Sequence, residues 1–165
     1  MLFRSSYSLL ATADIKPGNT DALLAENVNT LPAPSLAYAL LLEYYPNPMQ
    51  QPNVLTGVLT WQEALDGVFA DEARAAMVPS SMQALYPQVV EVVRSREFPG
   101  MAVSASPRVD AGTREKIRQA LLKMHTDESA FQALTELRIS QFVPTTKTDY
   151  DGSDRILSNF YGYGK

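Results

Sequence analysis

Segments with strand-like and helix-like patterns alternate over the first hundred residues, and only helix-like segments follow. The strand-like segments are residues 6–12, 27–32, 54–59, 73–79, 89–93 and 100–106. Helical patterns cover residues 35–45, 60–71, 80–85, 110–125 and 126–137, and a lightly packed helix is expected after residue 150. Alternation of this kind favours layers of helices packed on a sheet. We therefore predict an α/β fold with a helical C-terminal segment.

Local signals indicate where several of these helices begin. Thr60 is followed three residues later by Glu63, which is a capping-box pattern. Ser35, Ser80 and Thr126 each stand where an N-cap is expected. The helix boundaries are therefore predicted from hydroxyl-bearing side chains as well as from apolar spacing.

The composition argues against several classes of protein. The chain has 165 residues, 45% of them apolar, and a net charge of −4. No apolar run approaches the roughly 18 residues that a membrane-spanning helix needs, and the negative charge argues against nucleic acid as a partner. Because cysteine is absent, disulfides and thiolate metal sites are excluded.

Catalytic machinery is scarce in this sequence. The single histidine, His125, lies at the end of a predicted helix, where it suits the helix dipole. One histidine without cysteine provides neither a histidine-based metal cluster nor a thiol nucleophile, and no P-loop, nucleophile elbow or dinucleotide fingerprint is present. A hydrolase using Ser35 or Ser80 would lack a histidine nearby in sequence. We therefore predict that the protein is not an enzyme and needs no cofactor or metal.

Three helix starts are better candidates for a binding site. Ser35, the turn of Thr56 and Gly57, and Ser80 each follow a predicted strand. Free N–H groups at a helix N-terminus can hold a phosphate or carboxylate without a basic side chain. Taken alone, each residue is explained more simply as part of an ordinary cap or turn. In an open α/β sheet, however, ligands bind outside the carboxyl ends of the strands, so the three together favour a site.

The order of these motifs resembles the second lobe of type II periplasmic substrate-binding proteins, in particular the phosphate, phosphonate and phosphite components of ABC transporters. TDALLAENVNTLPAPSLAYALLLEYY resembles the family's ligand segment of strand, small-residue loop and helix. Further family-like segments follow in order: TGVLTWQEALDGVFADEARAAMVPSSMQAL, VVEVVRSREFPGMAVSASPRVDAGTREKIRQALLKMHTDESAFQALTEL and RISQFVPTTKTDYD. The resemblance extends across nearly the whole chain.

This resemblance implies a ligand-binding lobe at residues 1–106 and a C-terminal helical segment at residues 107–165 that normally returns to the first lobe. That first lobe, like any export signal, is expected outside this chain, and the implied location is the periplasm. Closure of the two lobes over a ligand is expected to occur at a hinge. The tail helices at residues 110–124 and 127–137 carry apolar faces, so we expect them to pack on residues 1–106 or to form a homodimer.

The resemblance also assigns candidate ligand-binding residues. Ser35 matches the helix-start serine that donates to a ligand oxyanion, and Tyr38 lies one turn further, near the cleft wall. Ser80 matches the serine that begins the next helix, and Thr56 lies in the glycine turn. The implied function is to bind a small anionic or polar solute, such as phosphate or a phosphonate, for the permease subunits of an ABC transporter. The alternative is a ligand-sensing input domain of a sensor kinase or regulator.

Overall fold

The computed structural model describes residues 4–100, 102–137 and 139–162 and divides into two compact units. The larger unit comprises Ser5–Phe98 and Gly152–Lys165, and the smaller comprises Met1–Arg4 and Pro99–Asp151. The predicted lobe covers residues 1–106 and the predicted helical segment residues 107–165. By contacts within the chain, residues from Gly152 onward belong to the larger unit.

Strands and helices alternate through the larger unit as the sequence pattern predicts. The strands are β1 Arg4–Ser5, β2 Tyr7–Ala11, β3 Asn27–Asn29, β4 Asn53–Leu55, β5 Ala75–Pro79, β6 Val90–Arg94 and β7 Phe98–Pro99. The α-helices are α1 Leu36–Tyr44, α2 Trp61–Phe69, α3 Ala111–Lys123, α4 Phe131–Glu136 and α5 Ser153–Tyr161. Short 3-10 helices cover Thr20–Leu23, Ser80–Leu85, Met124–Thr126, Glu128–Ala130 and Lys147–Tyr150. The predicted α/β class is therefore confirmed.

The main sheet has five strands in the order β4-β3-β5-β2-β6. β3 pairs in parallel with both β4 and β5, whereas β2 runs antiparallel to β5 and β6. The carboxyl ends of β3, β4, β5 and β6 therefore lie side by side at the same end of the sheet, next to the start of β2. We call this the carboxyl edge.

Apolar side chains cover both faces of this sheet. Leu9 and Met77 belong to a buried cluster with Leu40 of α1, while Leu10 and Val78 belong to a second cluster with residues of α2. Successive side chains of a strand point to opposite faces, so an apolar run in a central strand fills two cores. This explains why β2 and β5 are continuous apolar segments rather than alternating ones.

The smaller unit contains α3 and α4 and buries little. No residue of α3 is buried, and Leu134 is the buried residue of α4. Sequence analysis predicted a strand over residues 100–106, but residues 102–106 form no regular structure. The predicted cap at Thr126 is also wrong, because its hydroxyl donates to the carbonyl of Lys123 and Asp127 caps the next turn instead. No helix in the described ranges has the length and apolar character to cross a membrane.

Gly67 permits the close approach of α2 and β3. The buried Asn29 amide donates to the Ala64 carbonyl at 3.1 Å, and a Cβ on Gly67 would collide with the same amide nitrogen. A glycine in the middle of a helix is normally unfavourable. At this position its lack of a side chain allows a buried hydrogen bond between helix and strand.

We expect Gly67→Ala to lower the free energy of unfolding by about 1–2 kcal/mol, because displacing Asn29 outweighs alanine's better helix propensity. Urea denaturation measures the change. The matched control is Gly57→Ala, since an added Cβ there meets no atom within 4 Å. A Gly67→Ala protein as stable as the unsubstituted chain would contradict this account of the contact.

Candidate functional site

The three helix starts singled out from the sequence follow β3, β4 and β5, whose carboxyl ends share one edge. The segment from Thr30 to Ser35 follows β3, Thr56 follows β4 and Ser80 follows β5. The Thr30 N–H donates to the Leu55 carbonyl at 3.1 Å, which extends the β3–β4 ladder by one residue. The parallel pairing thus brings together segments that are far apart in sequence.

Ser35 is the N-cap of α1, as predicted. Its hydroxyl accepts a hydrogen bond from the Tyr38 amide at 3.2 Å and donates to the Leu31 carbonyl at 3.1 Å. The hydroxyl proton is therefore used within the protein. The first-turn amides of Leu36 and Ala37 have no acceptor inside the helix, because the ladder of an α-helix starts later. The donors of this helix start that are not used within the helix are therefore these amides rather than the serine hydroxyl.

Tyr38 is half-buried and contacts the C-terminal helix. Its ring lies 6.5 Å from the ring of Tyr161, centroid to centroid. The Tyr161 hydroxyl donates to the Ser35 carbonyl at 3.1 Å. The structure thus brings Ser35 and Tyr38 together and adds Tyr161, which sequence analysis did not identify because it lies 126 residues from Ser35.

Ser80 belongs to a network of hydroxyl groups. Its Oγ lies 2.8 Å from Ser6 Oγ and 2.6 Å from Ser8 Oγ, and Ser8 Oγ also lies 2.6 Å from Glu91 Oε2. A carboxylate only accepts, so the single Ser8 proton goes to Glu91 and the Ser80 hydroxyl donates to Ser8. Like that of Ser35, the Ser80 proton is therefore used inside the protein.

Glu91 ends this network and is held in its charged form. Arg94 Nε donates to both carboxylate oxygens of Glu91, at 3.1 and 2.9 Å. Partial burial alone would raise the pKa of Glu91, but the hydrogen bonds from Arg94 and Ser8 outweigh it and lower the pKa below its ordinary 4.5. The pairing of β2 with β6 shifts at this point: Leu9 pairs with Val93 and Leu10 with Glu91, so that Val92 of β6 is the extra residue of a bulge.

Thr56 and Thr30 supply the remaining hydroxyls of the carboxyl edge. Thr56 is half-buried, and its side chain forms no hydrogen bond within the described ranges. Thr30 is fully buried, and its Oγ1 has no hydrogen-bond partner among the described residues. An unpaired buried hydroxyl costs about 1–3 kcal/mol, so Thr30 calls for an explanation.

The position of Thr30 follows from strand alternation. Val28 packs in the cluster that contains Leu40 and Leu41 of α1. Thr30 stands two residues later and continues the same ladder, so its side chain lies on the α1 face of the sheet. Thr30 is not predictable as a site residue from the sequence, because a threonine after a short strand gives no sign of whether its hydroxyl will be buried or will find a partner.

An aromatic pair also lies at this edge. Trp61, the first residue of α2, and Tyr7, the first residue of β2, pack edge to face with ring centroids 5.9 Å apart. Both side chains are half-buried, and burial raises the pKa of Tyr7. The described residues include no group of three or more acidic or histidine side chains placed to hold a metal ion. Apart from the ion-paired Arg94 and Glu91 of β6, the carboxyl edge presents neutral donors beside aromatic surface.

We expect Glu91→Gln to lower the free energy of unfolding at pH 7 by about 0.5–1 kcal/mol, because the ion pair with Arg94 is lost. A carboxyl whose pKa is depressed by folding stabilises the protein above its unfolded pKa, and that contribution disappears as the pH falls through the folded pKa. The difference between the two proteins should therefore shrink below about pH 4.5. Urea denaturation at pH 7, 5, 4 and 3 measures it.

The control for this experiment is Glu136→Gln, which removes a carboxylate from an exposed position of α4. At pH 7 it should change the free energy of unfolding by no more than about 0.5 kcal/mol. A constant difference between the unsubstituted chain and Glu91→Gln from pH 7 to pH 3 would contradict the role given to the charged form.

Solved structures show the same fold at low sequence identity. The Xanthomonas citri protein XAC2383 bound to ATP matches with a TM-score of 0.64 and 17% identity, covering 96% of this chain and 67% of that one. A binding protein component of an ABC phosphonate transporter from Pseudomonas aeruginosa gives 0.68 and 13%, covering 93% and 56%. A cysteine-binding protein from Campylobacter jejuni gives 0.55 and 13%, covering 92% and 57%. The chain thus spans between 56% and 67% of the length of these proteins.

Comparison of sequences gives the family. No curated protein matches the chain. The family described as "ABC transporter, phosphonate, periplasmic substrate-binding protein" matches residues 50–150, which is more than half of the chain. Its members are binding proteins rather than enzymes, in agreement with the prediction that this is not an enzyme. The chain therefore belongs to the phosphonate family of periplasmic substrate-binding proteins of ABC transporters.

Proposed function

We propose that this chain is part of the solute-binding component of an ABC transporter and that it binds a small oxyanion, such as phosphate or a phosphonate, at the carboxyl edge. The observation that carries the proposal is the convergence of the segments led by Thr30, Thr56 and Ser80 on one edge of the sheet. In open α/β sheets this is where ligands bind.

Neutral donors suit such a ligand. The amides of Leu36 and Ala37 stand at the positive end of the α1 dipole, and backbone N–H groups at a helix N-terminus bind phosphate and carboxylate groups. The hydroxyls of Thr30 and Thr56, which have no partner in the described part of the chain, are further donors at the same edge. Arg94, a nearby cation, is engaged by Glu91. The ligand charge would therefore be balanced mainly by oriented dipoles.

The predicted roles of the serines change within this proposal. The Ser35 hydroxyl donates to the Leu31 carbonyl, so it is not available to a ligand. Ser35 contributes instead as the cap that orients the first turn of α1. Ser80 contributes by joining β5 to β2 through Ser6 and Ser8. Tyr38 forms part of the surface beside the first turn. The direct donors to a ligand are then amides and threonines.

The similar structures support an oxyanion as the shared chemistry of the ligand. One belongs to a phosphonate transporter and another is named for cysteine; both solutes carry an oxyanion, a phosphonate group in one and a carboxylate in the other. We infer that the solute would be delivered to permease subunits in the periplasm, as the family description implies.

A second proposed contact, between two copies of the chain, lies on the smaller unit. Ile117, Phe131 and Leu137 are 46%, 47% and 51% exposed, and large bare apolar patches are uncommon on monomers. We propose that these residues pair two copies of the chain, as the predicted homodimer requires. Light scattering should then give twice the mass of one chain, and a monomer at all concentrations would contradict the proposal.

Thr30→Val tests the binding site. Valine has nearly the same shape but no hydroxyl, so removing an unpaired buried group should raise the free energy of unfolding by about 1 kcal/mol. If Thr30 donates to the ligand, the same change should weaken binding of phosphate or methylphosphonate by at least about threefold. Thermal unfolding and isothermal titration of the whole chain measure the two effects.

The matched control is Thr12→Val, at the opposite edge of the same sheet, where the hydroxyl donates to Asp14 at 2.6 Å. It should lower stability slightly and leave the affinity unchanged. Acetate, as a third ligand, separates binding of a phosphorus oxyanion from binding of any anion. Absence of heat with all three ligands would count against the proposed function.

A further inference from the structure

The C-terminal helix α5 is anchored in the larger unit beside α1. Ile156 is 5% exposed and belongs to the buried cluster that contains Leu40 and Leu41. α5 begins after Gly152, where the chain returns from the smaller unit with a left-handed backbone. Tyr161 is its last residue. The anchor at Ile156 thus fixes where the Tyr161 ring can lie.

Tyr161 holds one peptide group of the α1 cap. Its hydroxyl donates to the Ser35 carbonyl at 3.1 Å, and the same carbonyl accepts the Ala39 N–H at 3.2 Å. A carbonyl oxygen has two lone pairs, so both are used. The tilted contact between the Tyr161 and Tyr38 rings also holds the Tyr161 side chain in this position.

The held peptide group is also a proposed ligand donor. The Ser35 carbonyl and the Leu36 N–H belong to one planar trans unit and point in opposite directions. Fixing the carbonyl therefore fixes the direction of the Leu36 N–H. Hydrogen bonds in a chain polarise one another, so donation to the carbonyl also makes the Leu36 N–H a stronger donor.

A separate observation favours a ligand site at this end of α1. The Thr30 hydroxyl is fully buried without a partner in the described part of the chain. It lies on the α1 face of the sheet at the carboxyl edge, five residues before the cap. A hydroxyl in this position matches an acceptor that the protein itself does not provide.

We propose that Tyr161 is a positioning residue for oxyanion binding, acting through the Ser35–Leu36 peptide group. This inference rests on the proposed function and adds a residue that neither the sequence motifs nor the family description assigns. The donor geometry at the N-terminus of α1 therefore depends on a helix that follows the smaller unit in sequence.

The substitution Tyr161→Phe keeps the ring and removes the hydroxyl. We expect the dissociation constants for phosphate and for methylphosphonate, measured by isothermal titration of the whole chain, to rise between about threefold and tenfold. We also expect the amide proton resonance of Leu36 to move upfield in the ligand-free protein, because its peptide group is less polarised. A residue that only stabilised the fold would change neither.

Tyr45→Phe is the matched control. The Tyr45 hydroxyl donates to the Thr20 carbonyl at 2.8 Å, beyond the other end of α1. Burial, with a smaller effect of Asp21, raises the pKa of Tyr45 to about 12, so the phenol is protonated as a donor. Tyr45→Phe therefore removes the same type of hydrogen bond, from a tyrosine hydroxyl to a backbone carbonyl, at the C-terminal end of α1 instead of the N-terminal end. Stability should fall, while the affinity and the Leu36 resonance stay unchanged.

The outcomes separate this inference from the proposed function. If the unsubstituted chain binds neither phosphate nor methylphosphonate, the proposed function is overturned and the ligand role of Tyr161 with it. If the unsubstituted chain and Tyr161→Phe bind either ligand equally well, only the role of Tyr161 is overturned. An unchanged Leu36 resonance in Tyr161→Phe would also overturn it, whatever the affinities.

Discussion

The parallel pairing of β3 with β4 and β5 is the constraint on which the candidate site depends. Parallel neighbours require a crossover that returns each chain segment to the same starting edge, and α1 and α2 provide those crossovers here. Each crossover begins at the carboxyl edge, so the helix N-termini gather there. Burial on both faces fixes the register, since a slip of one residue would exchange the two apolar faces.

Hydroxyl groups at the carboxyl edge divide into two kinds. The hydroxyls of Ser35 and Ser80 donate hydrogen bonds to groups inside the protein, and these bonds fix the positions of the segments around the candidate site. Those of Thr30 and Thr56 remain unpaired within the described ranges. Binding of an oxyanion by such an edge would use main-chain amides and threonines, with the serines setting their directions. A capping residue can thus matter to a ligand that it does not contact.

The larger unit is assembled from two separate stretches of sequence. Its sheet is complete by residue 94, but α5 joins it only after the chain has passed through the smaller unit. Ile156 closes the apolar cluster over α1 and Tyr161 bonds to the helix cap. The N-terminus of α1 is therefore linked to α5 by contact rather than by sequence proximity.

Much of the fold could be read from local patterns. The caps at Ser35 and Thr60, the apolar runs of β2 and β5 and the amphipathic spacing of α2 depend on near neighbours, so the sequence predicted them. The predicted strand over residues 100–106 failed because apolar character alone cannot supply the pairing partner that a strand needs. Thr126 failed as a cap because Asp127, one residue later, competes for the same turn.

The sequence by itself determined the α/β class, the helix starts at Ser35 and Thr60 and the lack of residues for histidine-cluster or cysteine chemistry, since these follow from residue types and short spacings. Only the tertiary structure decided which hydroxyls stay unpaired. It paired Ser80 with Ser6 and Ser8, left the buried Thr30 hydroxyl with no partner among the residues that the structure describes, and brought Tyr161 to Ser35. The reason is physical, because a hydrogen bond forms only at a distance of about 3 Å. Local sequence patterns do not predict such distances between residues that are 72 to 126 positions apart.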